Sequence, residues 1–171
     1  MKRLYLLRHA KSDWADPALD DFDRPLNGRG VKSAPAMGRY MRREGLIPAL
    51  VLCSPSRRTR QTWELMAPAL KAQPPVDYAD DLYEAEPARV LKRIGEVPEN
   101  LASLLVIGHN PGLQALAHRL ANGGDMAGRR RMAAKYPTGA LAVLDCDVGA
   151  WDQLASGHCL LERFVTPRDL P

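Results

Sequence analysis

Three short apolar runs constrain this chain more than any other feature. Residues 4–7, 49–53 and 104–107 are continuously apolar, as strands buried on both faces of a sheet must be. Each run stops at polar groups: Leu7 precedes Arg8-His9, Cys53 precedes Ser54, and Ile107 precedes Gly108-His109. Helical patterns lie between them, and strand–helix alternation argues for an α/β fold.

The helical segments carry their own punctuation. Asn27 is a good N-cap, Val31, Ala34, Gly38 and Met41 mark one face, and Gly45 is a natural stop. Pro35 interrupts that pattern and predicts a kink. Ser54 reads as the cap of a second helix, with Pro55 at its first position and Trp63, Met66 and Leu70 inward. Residues 76–79 predict a short strand, and residues 86–97 a helix with Val90, Leu91 and Ile94 inward. Asn110 reads as a cap with Pro111 at the first position and Leu113, Leu116 and Leu120 on one face. Residues 13–26 and 122–138 read as loops, and 141–144 and 160–165 as further strands. The sum is a single domain over residues 1–171. It is a three-layer sandwich with a mostly parallel central sheet of about five to six strands flanked by helices.

In open α/β sheets ligands bind beyond the carboxyl ends of the strands. Arg8, His9, the Arg57/Arg58 pair and His109 therefore converge on one rim. Arginine offers a rigid fork of donors that fits phosphate oxygens, and helix N-termini favour anions. A neutral imidazole in such a place can attack phosphorus and form a covalent intermediate. The surrounding positive charge then stabilises the transferring phosphoryl group, so this chemistry asks for no metal or cofactor.

Lys plus Arg number 24 and Asp plus Glu 20, a formal net charge of +4. That suits an anionic ligand but is too weak to imply nucleic acid. The residues 129–131 read as a solvated basic loop, with recruitment of an acidic protein partner as the alternative. The four histidines lack zinc-ligand spacing, and no cysteine pairs with them. His118 and His158 read as structural or solvated. Cys53, Cys146 and Cys159 are few, odd in number and far apart, so no disulfide scaffold is expected and a reducing cytoplasm is the natural setting. The apolar stretch after Met1 is too short for a signal peptide, and no run is long enough to span a membrane.

Four motifs in order give these residues a likeness. Leu7-Arg8-His9-Ala10-Lys11-Ser12, Arg24-Pro25-Leu26-Asn27 with Gly30, Ser54-Pro55-Ser56-Arg57-Arg58-Thr59-Arg60-Gln61-Thr62, and Gly108-His109-Asn110-Pro111-Gly112 together resemble the histidine phosphatase superfamily, the phosphoglycerate mutase-like proteins. The resemblance implies that His9 is the nucleophile that becomes phosphohistidine. It selects Arg58 over Arg57 and implies that Arg8 and Arg58 clamp the phosphoryl oxygens while His109 hydrogen-bonds them. It suggests Glu84 as the proton donor, and Ser12, Asn27 and Asn110 as residues at or beside the substrate.

Only 51 positions separate Arg58 from His109, and the expected elements fill them, leaving little or no inserted cap. An open site suits a bulky substrate. Together with the short chain and the form of the first and last motifs, this is similar to the SixA-type phosphohistidine phosphatases. The implied substrate is phosphohistidine on a protein, such as a histidine-phosphotransfer domain. The alternatives are a small phosphomonoester (a sugar phosphate or nucleotide) and a non-catalytic phosphate-binding module.

Overall fold

The computed structural model describes residues 1–155 and 158–171. The chain forms β1 (Lys2–Arg8), α1 (Gly28–Arg43), β2 (Leu50–Cys53), α2 (Arg57–Leu70), β3 (Val76–Tyr78), α3 (Pro87–Gly95) and β4 (Ser103–Gly108). It continues with α4 (Gly112–Leu120), β5 (Ala121–Gly124), α5 (Met126–Ala134), β6 (Leu141–Cys146) and β7 (Cys159–Val165). Among the described residues the strands make one sheet in the order β3-β2-β4-β1-β6-β7-β5. Pairing is parallel from β3 to β1 and between β7 and β5, while β6 runs antiparallel to both neighbours.

The two-residue period of a strand divides the core into two layers. Leu4 and Leu6 of β1, Leu104 and Val106 of β4, and Ala142 and Leu144 of β6 face one side. There they meet Val90, Ile94, Leu113, Leu116 and Met132 of α3, α4 and α5. Tyr5 and Leu7, Leu105 and Ile107, and Leu141 and Val143 face the other side, against Met37, Met41, Trp63 and Met66 of α1 and α2. The continuous apolar runs are thus required by burial on both faces, and the expected α/β sandwich is what forms.

Several local expectations are corrected. The sheet has seven strands rather than about five or six, because residues 122–138 are not a loop: they hold most of β5 and all of α5. The polar and glycine-rich β5 sequence hides a strand at the sheet edge, where alternation need not show. α1 runs through Pro35 as one helix, and Val31 is exposed while Met37 takes its place in the core. The stop is as expected, with Gly45 at positive φ and the Leu46 amide reaching back to the Met41 carbonyl. α2 begins at Arg57, not at Pro55, and α4 begins at Gly112 after a cis Asn110–Pro111 bond.

Cys146 and Cys159 form a disulfide, against the expectation from cysteine count. Antiparallel pairing of β6 and β7 sets the two directly opposite each other, a proximity that their 13-residue separation does not reveal. The cysteines therefore lend no support to a reducing compartment. Cys53 is a free, buried thiol. Among the described residues no helix is long and apolar enough to cross a membrane.

Candidate active site

The site forms where β2, β4 and β1 end side by side. The Ser54 amide donates to the Ile107 carbonyl and the His9 amide to the Gly108 carbonyl, which locks the three strand ends in register. Arg8, His9, Ser54 and His109 thus leave the sheet at one rim, and Arg58 joins them from the first turn of α2.

His9 is buried, and its Nδ1 lies 2.7 Å from the Ala10 carbonyl oxygen. A carbonyl only accepts, so Nδ1 carries the proton and Nε2 keeps its lone pair. Burial, reinforced by the charges of Arg58 and Arg8 and by the nearby His109, pulls the His9 pKa down to about 3. The ring is therefore neutral at ordinary pH. The His109 ring centroid stands 5.4 Å from that of His9. Nη2 of Arg58 donates to His109 Nδ1 at 3.2 Å, and His109 Nε2 in turn donates to Ser54 Oγ at 2.7 Å. Burial and the Arg58 charge bring the His109 pKa to about 3 as well.

The two arginines differ in their surroundings. Arg8 donates from Nη1 to the Tyr136 carbonyl at 3.0 Å and has no carboxylate partner among the described residues. Burial and the neighbouring Arg58 hold its pKa below the ordinary value. Arg58 is gripped by one residue, Asp21, whose main-chain oxygen accepts Nη1 at 2.7 Å and whose carboxylate accepts Nη2 at 3.1 Å. Nε of Arg8 and Nε of Arg58 are buried donors with no hydrogen-bond partner. Unpaired buried donors are costly, and phosphoryl oxygens are natural acceptors for them. Two guanidiniums, two neutral imidazoles and one carboxylate leave a net positive site suited to an oxyanion.

The hydroxyls of the third motif hold this geometry. Thr62, one turn beyond Arg58, accepts the Ala10 amide at 3.0 Å and donates to the Arg58 carbonyl at 2.7 Å. It ties the residue after His9 to Arg58. Gln61 accepts the Leu26 amide, and Thr59 donates to the Ser54 and Ser56 carbonyls. Ser54, expected as a helix cap, instead orients His109. Gly30 and Gly112 are required by close approach: a Cβ there would lie 2.2 Å from the Lys11 carbonyl oxygen and 2.0 Å from that of Ala85.

The remaining expected residues fall around this centre. Arg57 is exposed and points to the Asp23 carbonyl. Ser12 is buried and bridges Leu26 through its main chain. Asn27 caps α1 by accepting the Gly30 amide at 2.9 Å, and its own amide donates to Lys11, so its contacts are architectural. Asn110 donates to the same Tyr136 carbonyl that receives Arg8 and thereby helps to orient that arginine. Glu84 is exposed, in a left-handed turn with φ of 51°, directly after Tyr83.

Two residues of the site were not expected from sequence. Asp21 sits in a short 3-10 turn within the 13–26 segment, and the Tyr83 hydroxyl donates to its carboxylate at 2.5 Å. Tyr83 also stacks edge-on to His109, with ring centroids 5.5 Å apart. Burial works against the charged carboxylate, but the Tyr83 hydroxyl and Arg58 outweigh it and hold the Asp21 pKa below its ordinary value. Burial and that same carboxylate push the Tyr83 phenol up to about 12. Nothing local marks Asp21, which reaches Arg58 across 37 positions. Arg24, by contrast, pairs with Asp21 and lies over the exposed Trp14 ring at the rim of the same segment.

Comparison with known proteins bears on family and fold. Residues 4–93 match the family described as the histidine phosphatase superfamily (branch 1). An uncharacterized protein of Mycobacterium tuberculosis (strain ATCC 25618 / H37Rv) is 40% identical over 166 residues, covering 95% of this chain and all of its own. The structure solved from Nakamurella multipartitia under the phosphohistidine phosphatase name SixA superposes with a TM-score of 0.82 at 30% identity, over 97% of this chain and 96% of that one. A protein histidine phosphatase SixA complexed with tungstate gives 0.80 at 22% identity over 98% of both chains. The fold is also shared, at 0.62 and 15% identity over 95% of this chain and 97% of that one, with a mycobacterial glucosyl-3-phosphoglycerate phosphatase. The chain belongs to the histidine phosphatase superfamily, branch 1, and stands there with its SixA-type members.

Proposed function

We propose that this protein is a phosphohistidine phosphatase that removes phosphate from a protein side chain through a covalent intermediate on His9. The observation that carries the reading is the 2.7 Å hydrogen bond from His9 Nδ1 to the Ala10 carbonyl, which leaves Nε2 unprotonated among Arg8, Arg58 and His109.

In the first step the Nε2 lone pair attacks phosphorus. The bond from phosphorus to the substrate nitrogen breaks, and the leaving imidazole takes up a proton. Arg8 and Arg58 bear the charge on the equatorial oxygens. When the dianion enters, His109 Nδ1 gives up the hydrogen bond it accepts from Arg58, takes a proton from solvent and donates it as a hydrogen bond to a phosphoryl oxygen; it returns that proton to solvent when inorganic phosphate leaves. In the second step water attacks phosphorus, the Nε2–phosphorus bond breaks, and inorganic phosphate leaves with His9 neutral again. The positive charge comes from the arginines, so the reaction needs no metal. A phosphorus–nitrogen bond has a basic leaving group that solvent can protonate, whereas an alkoxide needs a positioned acid; Glu84 is the carboxylate proposed for that case.

The substrate assignment draws on the likeness to SixA-named proteins and on the short segment from Arg58 to His109, which is filled by α2, β3, α3 and β4. The test is a panel of phosphohistidine proteins, sugar phosphates and nucleotides, with His9→Ala as the blank. Higher kcat/KM on phosphohistidine proteins supports the reading. Higher kcat/KM on a small phosphomonoester replaces it with the small-molecule alternative, and tight binding without turnover replaces it with a binding module.

A further inference from the structure

A groove of about 590 Å³ opens beside Arg8, and neither Arg58 nor Asp21 lines it. Its cations come from separate parts of the chain: Arg8, Lys11 after β1, Arg29 at the start of α1, Arg131 in α5, Lys135 after α5, and Arg168 in the C-terminal 3-10 turn. No carboxylate lines it. Arg131 is neutralised by Asp169 at 2.6 Å and lies over Phe164. Lys11, Arg29, Lys135 and Arg168 are exposed and form no ion pair among the described residues. Four unpaired cations facing one concavity repel one another, and the fold keeps them there with no internal counter-charge.

The lining is not only charged. Ala134, Pro137, Phe164 and Pro167 supply apolar surface between the cations, and Ser33 and Thr138 supply hydroxyls. A compact polyphosphate would gain nothing from the apolar part. An extended acidic peptide uses both, with carboxylates on the cations and its stems and backbone on the apolar and hydroxyl groups. Because Arg8 belongs both to the groove and to the phosphate site, an occupant of the groove lies directly beside the transferring phosphoryl group.

We propose that this groove docks an acidic segment flanking the phosphorylated side chain of the protein substrate. The proposal rests on the protein-substrate reading above and adds the chemistry of the partner. It also reassigns the basic run 129–131: only Arg131 reaches the groove, and it is already held by Asp169.

The first measurement is the binding of fluorescein-labelled hexaglutamate to the intact protein. Wild type binds it, and binding weakens with salt. The variant Arg29→Gln/Lys135→Gln/Arg168→Gln binds roughly tenfold more weakly, at about half a kcal/mol per lost contact. The control Arg39→Gln/Arg42→Gln/Lys71→Gln, which loses as much charge from exposed positions outside the groove, binds as wild type. Equal weakening in both variants, or no binding by wild type, overturns the proposal. Binding of inorganic tripolyphosphate but not hexaglutamate overturns it in favour of a compact anion. If the triple variant loses thermal stability, Lys135→Gln and Arg168→Gln alone decide it, each expected to weaken binding about twofold.

The second measurement compares phosphohistidine peptides flanked by Glu or by Gln. Wild type prefers the Glu peptide through KM at constant kcat, and the groove variant loses that preference while hydrolysing p-nitrophenyl phosphate as before. A preference that survives in the variant overturns the proposal. Failure to turn over either peptide counts against the phosphohistidine reading instead, and hexaglutamate binding then stands or falls separately.

Discussion

The carboxylate of Asp21 lies 3.1 Å from Nη2 of Arg58, and the main-chain oxygen of the same residue accepts Nη1 at 2.7 Å. One acidic residue thus holds Arg58 in place and, on the proposed reading, competes with phosphate for it. The two roles separate on mutation, because the carbonyl survives when the carboxylate is lost. In Asp21→Asn the competition falls while the main-chain contact remains. A half-exposed carboxylate on a guanidinium contributes on the order of 1 kcal/mol, so inhibition by orthophosphate should strengthen about fivefold. Weaker inhibition would show that the carboxylate orients Arg58 more than it competes for it.

The two histidines predict an acid-sensitive fold. Both are held near pKa 3 by burial and neighbouring positive charge, against about 6.5 in the unfolded chain. Between those values the unfolded state binds more protons, so stability is full above about pH 6.5 and falls as pH drops toward 3. The slope is about 1.4 kcal/mol per pH unit for each histidine. Urea unfolding of wild type and His9→Asn from pH 7 to pH 4 checks this: the variant should lose stability less steeply. The acid limb of kcat/KM for the free enzyme should likewise fall well below pH 6.5. A limb near pH 6.5 would mean that His9 titrates as an ordinary imidazole.

Thr62 links the Ala10 amide to the Arg58 carbonyl from a buried position. Thr62→Val keeps the shape and removes both bonds. The Ala10 amide is then buried without an acceptor, which should lower stability by about 1–3 kcal/mol and slow turnover because His9 is the adjacent residue. Denaturant midpoints and kcat measure the two effects; a stable variant with full kcat would remove Thr62 from the positioning of His9.

Glu84 offers a leaving-group test. If it is the proton donor, Glu84→Gln should slow hydrolysis of an alkyl phosphate by about a hundredfold or more, and should barely change turnover of p-nitrophenyl phosphate or phosphohistidine. Equal effects on all three would make Glu84 a structural turn residue, in keeping with its positive φ.

What could be read before the structure follows from how local each signal is. Burial on both faces imposes continuous apolar runs, so β1, β2 and β4 are visible, and their polar ends lead to Arg8, His9, Ser54 and His109. Gly45 marks its own helix end by conformation. β5 and α5 carry no apolar period to read: the one is an edge strand of sequence Ala121–Gly124, and the other, Met126–Ala134, is interrupted by Gly128 and three consecutive arginines. Asp21, Tyr83 and the Cys146–Cys159 pair depend on contacts between distant segments, and no local pattern encodes those. A Ser-Pro pair is a common helix start, which points Ser54 to a helix end; its hydroxyl is instead taken by His109.

In the proposed mechanism His9 Nε2 carries the phosphoryl group between the two half-reactions. The most direct measurement is rapid quench of the intact enzyme with a phosphohistidine protein labelled with radioactive phosphate, kept at alkaline pH to preserve phosphorus–nitrogen bonds. Label is expected on wild type, mapping to the peptide that holds His9, lost on acid treatment and absent from His9→Ala. Turnover of that substrate by wild type with no labelled enzyme, or label that persists in His9→Ala, would contradict the proposed mechanism.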